Sequence, residues 1–527
     1  MKLTRLFFVG LVLLPIIALL HACGGSGGSS GAPGTTTVTG SVFAAPVAGA
    51  TVVVLNSSGT TTIAGPVATL SDGTYSVTIS DASLASDLIF SSTGGTFTDE
   101  VTATVTSAGT LAAYVAGGSL NSVPSVNLDP ASTIVADLVR SHGKTLSEAN
   151  TIFSGAFGYT PDISVAPKNA SSASVMERLA ALRAITFSQL TKDLSLSPNQ
   201  QFDLLTAVAE DLADGTLDGK NISNPVSLGT GTVCEDIQNK FDQSLVGLMT
   251  NTAVNLTGLT ADQISPLPFA KVALTNSYRV EYIPGMMAAA QGKTAFKIRI
   301  TNRSDDSPAT GLMVSLMPMM NMAAMGHSTP VDTITDNGDG TYSCTVYYLM
   351  ASGPGMGYWD LKVMIGGMMG ETATFYPAVA MAMGSTTVRA TLKGQNDIIS
   401  SMTGTEKRSY YLFNGGLTGT TVFNLFIAAK ESMMSFPAVS GGTTLHDDTG
   451  TAWTVNPIAV SASTDGSTWI AAADNTGGHW SVSGLSGLSS GVTGTIYVKM
   501  NINGEDKTTN GNAASGTNGY ASFTVTP

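Results

Sequence analysis

The chain has 527 residues, too many for a single hydrophobic core, and its length implies roughly three to five domains. Hydrophobic residues make up 43% and charged residues 12%, which excludes a disordered chain, and the abundance of Gly, Ser, Thr, Ala and Val favours short strands joined by tight turns. A net charge of −13 argues against nucleic acid as a partner and is compatible with cations or with solubility alone.

The chain opens as a targeting segment. Lys2 and Arg5 form a basic start, an apolar run follows over 6–20, and Leu20-His21-Ala22-Cys23 closes it. The run is short for a spanning helix. Leu20, Ala22 and Cys23 resemble a bacterial lipobox, with His21 an unusual residue within it. The resemblance implies a signal peptide over 1–22 and lipidation of Cys23, followed by a Gly/Ser tether to residue 35 that lets a domain stand off a bilayer. The membrane is then a partner through that anchor. No Asp follows Cys23, which by the same resemblance favours the outer membrane of the cell envelope. An ordinary secretory signal with a stray cysteine is the alternative. Loss of Lys2 and Arg5 takes the net charge from −13 to −15.

Residues 36–126 read as a small β-sandwich. Thr37 to Val42 alternates, and Ser71-Asp72-Gly73-Thr74-Tyr75 is a turn entering a strand. Gly40, Val42, Pro46 to Ala50, Val52, Asp72, Gly73, Tyr75 and Val77 carry a pattern that resembles the carboxypeptidase-regulatory-like, transthyretin-type module. That resemblance implies a structural or adhesive spacer.

Residues 128–262 change period and read as an inserted all-α domain of about five helices. Asp129-Pro130 opens one helix, and Thr145 to Glu148 and Ser197 to Gln200 have capping-box spacing. Met176, Leu179, Leu182, Phe187, Leu190 and Leu194 recur at helical spacing, and Leu204, Leu205, Val208 and Leu212 continue the pattern. Asp211, Asp214 and Asp218 beside Gly215 and Gly219 invite a calcium reading, but they lack the ligand spacing of an EF-hand loop. A helix end with Gly215 in the left-handed position explains the same string. His142 reads as a cationic side chain near a helix C-terminus.

Residues 266–383 return to strands. Ala295 to Thr301 alternates, and Asp336 to Val346 is a turn and strand whose Asp-Gly-Thr-Tyr-Ser repeats residues 72–76. Residues 385–527 form a last β-sandwich, with Trp453, Trp469 and Trp480 as core anchors. His446-Asp447-Asp448 reads as a loop, and His479 sits at a strand start. Cys234 and Cys344 either pair in an oxidising envelope or remain thiols, with Cys344 buried on the face of Val346.

Between Met286 and Met383 lie 15 of the 22 methionines, concentrated in Leu316-Met317-Pro318-Met319-Met320-Asn321-Met322-Ala323-Ala324-Met325-Gly326-His327. Thioether sulfur is soft and stays unprotonated, so it selects Cu(I) and Ag(I), and imidazole suits either copper state. If the segment forms a loop, as Pro318 and Gly326 favour, then Met317, Met319, Met320, Met322, Met325 and His327 can surround one ion. Met286, Met287, Met350, Met356, Met368 and Met369 are further donors. Packing or a protein contact is the competing explanation, since methionine fills irregular gaps. In a strand, Met317, Met319 and Asn321 would share one face, with Met320 and Met322 on the other.

This stretch, with Ser328 to Pro330, Gly340 to Tyr342 and Gly357 to Leu361, is similar to the YtkA-like (FixH-related) domain over about 100 residues. The resemblance implies an immunoglobulin-like sandwich outside a membrane and copper handling by the methionine segment. Family members often carry a second His among the methionines; Asn321 stands near that position, which weakens Cu(II) binding more than Cu(I) binding. The chain therefore reads as a multidomain, mainly β protein, a lipid-anchored envelope binding protein for Cu(I) with an envelope protein as a further partner. The alternative is a structural or adhesive lipoprotein whose modules are spacers. No His-Glu-x-x-His, phosphate-loop or dinucleotide motif points to an enzyme.

Overall fold

A computed structural model describes residues 34–121, 124–367 and 369–527. The expected signal peptide, Cys23, most of the tether and Met368 lie outside the described residues. The chain is mainly β, arranged in small antiparallel sheets, with a few helices between the first and third groups of strands. No helix among the described residues is long and apolar enough to cross a membrane.

In the first region Thr35–Ser41 pairs with Thr74–Ser80, and a four-stranded sheet runs in the order Thr62–Ala68, Thr51–Asn56, Leu88–Thr93, Leu111–Val115. Asp72 makes the turn its sequence implies: its carboxylate accepts from the Thr74 amide at 3.0 Å and hydroxyl at 2.7 Å, while Gly73 takes φ 79°. The repeat at 339–343 behaves alike, with the Asp339 carboxylate accepting the Thr341 amide at 2.9 Å. Each copy buries its tyrosine and spends the hydroxyl on a distant carbonyl. Tyr75 donates to Val126 at 2.7 Å and Tyr342 to Ala309 at 3.0 Å.

The helices begin where the capping signals lie. Asp129 caps Pro130–Arg140 and Thr145 caps Leu146–Phe157, each by a reciprocal bond with the residue three positions on. Val175–Asp193, Gln201–Asp211 and Ile237–Thr250 follow, with a short Ala261–Ile264. Their apolar faces divide between two cores: Leu182, Ile185, Leu245 and Leu248 pack in a smaller cluster with Phe43, Tyr358 and Tyr376, and most of the rest join the strands of the first region. One continuous core runs from Val38 in the first strand to Phe241 in the Ile237–Thr250 helix, around a knot of Phe153, Phe157, Phe187 and Phe241. The acidic string at 211–219 ends a helix. Gly215 has φ 100°, Asp211 accepts the Gly219 amide at 2.8 Å, and Asp214 accepts the Thr216 amide at 3.0 Å. Local backbone thus consumes the carboxylates the calcium reading needed.

In the third region two sheets close over one core. The first runs in the order Val272–Leu274, Tyr278–Pro284, Gly292–Asn302, Thr341–Tyr348, Thr335–Asp336; the second in the order Gly326–His327, Val314–Asn321, Tyr358–Ile365, Glu371–Phe375. The C-terminal region repeats the plan, with Trp480 in its core. His446 closes the strand Thr444–His446, so the expected loop begins one residue later. Cys234 and Cys344 are separate thiols, and burial pushes both up to about 12.

The third and C-terminal regions meet on aromatics. The rings of Tyr347 and Phe426 stack at 3.9 Å, and His479 reaches Asp332 at 3.0 Å.

Candidate metal centre

The methionine stretch is a strand inside a sheet, and the expected encircling loop shrinks to residues 322–325, where the Met322 amide donates to the Met325 carbonyl at 3.0 Å. Over Pro318 the strand has one neighbour only, because Gly326–His327 reaches no further than Met320 and Asn321. That is where a residue without an N–H is tolerated in a sheet. Strand alternation then divides the donors.

Met320 stands opposite His327 on one side and Trp359 on the other, and all three side chains turn into the core. Met317, Met319 and Asn321 occupy the other face. Two contacts fix this assignment. A Cβ on Gly326 would meet the Met319 methyl at 3.3 Å, and the Asn321 amide donates to Asp360 at 2.9 Å. A single shell of Met317, Met319, Met320, Met322, Met325 and His327 would have to pass through the sheet. For the same reason a histidine in place of Asn321 would point away from His327.

His327 instead meets a residue that the sequence offered only as a further donor. Its Nε2 lies 3.3 Å from the Met350 sulfur, and its Nδ1 lies 2.7 Å from the Ser328 carbonyl oxygen. A carbonyl only accepts, so Nδ1 carries the proton, and the neutral ring turns the Nε2 lone pair toward the thioether. Burial, reinforced by Arg389 and Lys430, holds the imidazole below its usual value of 6.5 and so favours the neutral ring. His327 is 8% exposed. An unprotonated imidazole nitrogen and a soft thioether thus face each other in a nearly closed site.

The surroundings hold this pair in place. Trp359 Nε1–H donates to the Met350 carbonyl at 3.0 Å, and its ring stands edge-on to His327 with centroids 5.5 Å apart. The preceding carbonyl, of Leu349, accepts from Gln291 Nε2 at 3.2 Å and from Arg389 Nη1 at 3.0 Å. Arg389 belongs to the C-terminal region, and so does the Met433 carbonyl that accepts the Ser328 amide at 2.7 Å. Sequence reading offered Met350 only as a further donor and passed over Trp359, Gln291 and Arg389 as site residues. The one signal it had was the excess of methionine across 286–383.

That excess has a spatial meaning. Strand direction brings the loops 285–291, 322–325, 349–357 and 376–385 to the same end of the two sheets. They carry eight methionines: two in each loop. Met322, Met350 and Met356 pack partly against the core. Met325 is exposed, as are the methionines of the first and last loops.

Among the described residues there is no cluster of three or more His, Cys, Asp or Glu that could hold a metal ion. No protein family matches the chain, and no curated protein does. Among solved structures, the crystal structure of S. aureus TarS aligns with 69% of this chain at 8% identity and a TM-score of 0.15. The alignment spans 61% of the TarS chain.

Proposed function

We propose that the chain is a lipid-anchored cell-envelope protein that binds or passes Cu(I), with His327 and Met350 as its central donors and Met320 beneath them. In this reading Cys23 carries the lipid, the first and third regions are transthyretin-like and immunoglobulin-like sandwiches, the helices form an inserted domain, and the protein is a carrier rather than an enzyme. The observation that supports it is the 3.3 Å approach of Nε2 to the Met350 sulfur. Bond lengths of roughly 2.0 Å to nitrogen and 2.3 Å to sulfur place two such donors about 3.5 Å apart at a tetrahedral metal. A lone pair facing a thioether gains nothing without a proton or cation between them. A soft monovalent ion fits where a proton is disfavoured.

Competition of the full chain against a Cu(I) chelator tests this. His327→Ala with Met350→Leu is expected to weaken Cu(I) by about a hundredfold, roughly 2.7 kcal/mol. Equal competition by the double variant and the parent sinks the reading.

A structural or adhesive role is the second reading, and the aromatic joint at Tyr347 and Phe426 favours it, because it fixes two regions as a rigid spacer. It requires that partner capture survive the same double substitution.

A further inference from the structure

The methionines of the loops 285–291 and 376–385, Met286, Met287, Met381 and Met383, are not gap-fillers. Met286 is fully exposed, Met383 is 91% exposed and Met287 81%, so none of them fills a void, which is the usual structural use of a thioether. Leaving long apolar side chains in water forfeits burial energy, and all of these stand on two adjoining loops.

The loops that carry them are stitched into one belt. The Ala380 amide donates to the Ala289 carbonyl and the Gln291 amide to the Ala380 carbonyl, both at 2.9 Å. This joins the loop of Met286 and Met287 to that of Met381 and Met383. The Ser352 amide then donates to the Val379 carbonyl at 2.9 Å, and the Val379 amide to the Ser352 hydroxyl at 2.8 Å, tying in the loop that bears Met350. Gln291, at the edge of the belt, also donates to the Leu349 carbonyl next to Met350.

We infer that Met286, Met287, Met381 and Met383 form a second, outer site for a soft monovalent cation, Cu(I) or Ag(I), at the solvent end of the belt. Four thioethers and no carboxylate or imidazole make a donor set that hard cations reject. The site lies where an ion from solvent first meets the belt. Transfer inward is ligand exchange without redox change: a sulfur–metal bond breaks at the outer loops as another forms at Met350, and no proton moves. This step rests on the reading of His327 and Met350 as the inner donors; the outer site itself does not.

The test is titration of the full chain with Ag(I) alone, following the methionine methyl signals by NMR. The Met286, Met287, Met381 and Met383 methyls are expected to shift with the first equivalents, together with or before Met350. Replacing all four by Leu, which conserves volume on an exposed surface, is expected to lower the stoichiometry by one equivalent and slow the Met350 shift. If Met350 shifts while the four outer methyls stay still, the outer site is overturned and the inner reading stands. If the four shift and Met350 does not, the outer site stands and the inner centre falls. If none moves, both fail.

Discussion

The third and C-terminal regions share a plan of two antiparallel sheets, yet they bury polar chemistry in opposite ways. The C-terminal region holds a closed ionic centre. Arg408 is fully buried; its Nε meets Asp397 at 2.9 Å, Nη1 donates to the Lys430 carbonyl at 3.1 Å, and Nη2 donates to the His446 carbonyl. Lys507, also buried, meets Glu505 at 2.7 Å and Asp397 at 3.5 Å, while the Tyr410 hydroxyl donates to Asp397. Every charge there has its complement, so nothing is left to bind. The third region places uncharged donors at one end and leaves the Nε2 lone pair facing a sulfur. A saturated network fixes a fold, whereas an unsaturated one is available to a ligand.

The largest expected effect breaks the saturated side. Arg408→Met leaves Asp397 buried without its main partner and should cost about 3–5 kcal/mol, read by urea unfolding. A change near zero would show that the centre does not anchor the fold. The converse case is Asp242 in the Ile237–Thr250 helix, fully buried with neither carboxylate oxygen bonded. Burial raises its proton affinity well above the usual 3.8. The sign follows from linkage. Below 3.8 the carboxyl is protonated folded and unfolded alike; as pH rises the unfolded chain loses the proton first, and stability falls. Asp242→Asn should therefore stabilise the protein by roughly 1–3 kcal/mol at pH 7 and make no difference near pH 3. Stabilities that stay equal at both pH values would refute it.

Much of this contrast lay beyond sequence reading, for a physical reason. Local signals were legible. Gly292–Asn302 alternates buried and exposed as its composition implies, Asp129 and Thr145 cap their helices, and the repeated Asp-Gly-Thr-Tyr builds the same turn twice. These depend on neighbours within a few residues. The candidate site does not. His327 meets Met350 across 23 positions, and the Arg389 that braces the Met350 loop comes from a different region. The segment around Met317 reads as either a loop or a strand, because Pro318 and Gly326 are turn residues in isolation; a sheet accepts both where a neighbouring strand is short, and the strand is what forms. Arg408 and Asp397 gave no warning either, as single charges 11 residues apart in an alternating stretch.

Two smaller effects probe the open side. Trp359→Phe keeps a ring beside His327 but removes the bond to the Met350 carbonyl. Cu(I) affinity should fall roughly tenfold, the scale of losing a group that orients a ligand. An affinity equal to that of the parent would mean that Gln291 and Arg389 alone position Met350.

The smallest expected effect is the sharpest for the donor assignment. Met317 and Met319 were the first methionines a sequence reader would choose as ligands, yet they share the face of Asn321, which is bonded to Asp360. Replacing both by Leu keeps volume and apolar character, so the strand should hold its register against Tyr358–Ile365. Affinity for Cu(I) should stay within about twofold of the parent, a difference of roughly 0.4 kcal/mol. A loss as large as that from His327→Ala with Met350→Leu would place the ion on the opposite face of the sheet. The centre would then lie beside Asp360 rather than Trp359.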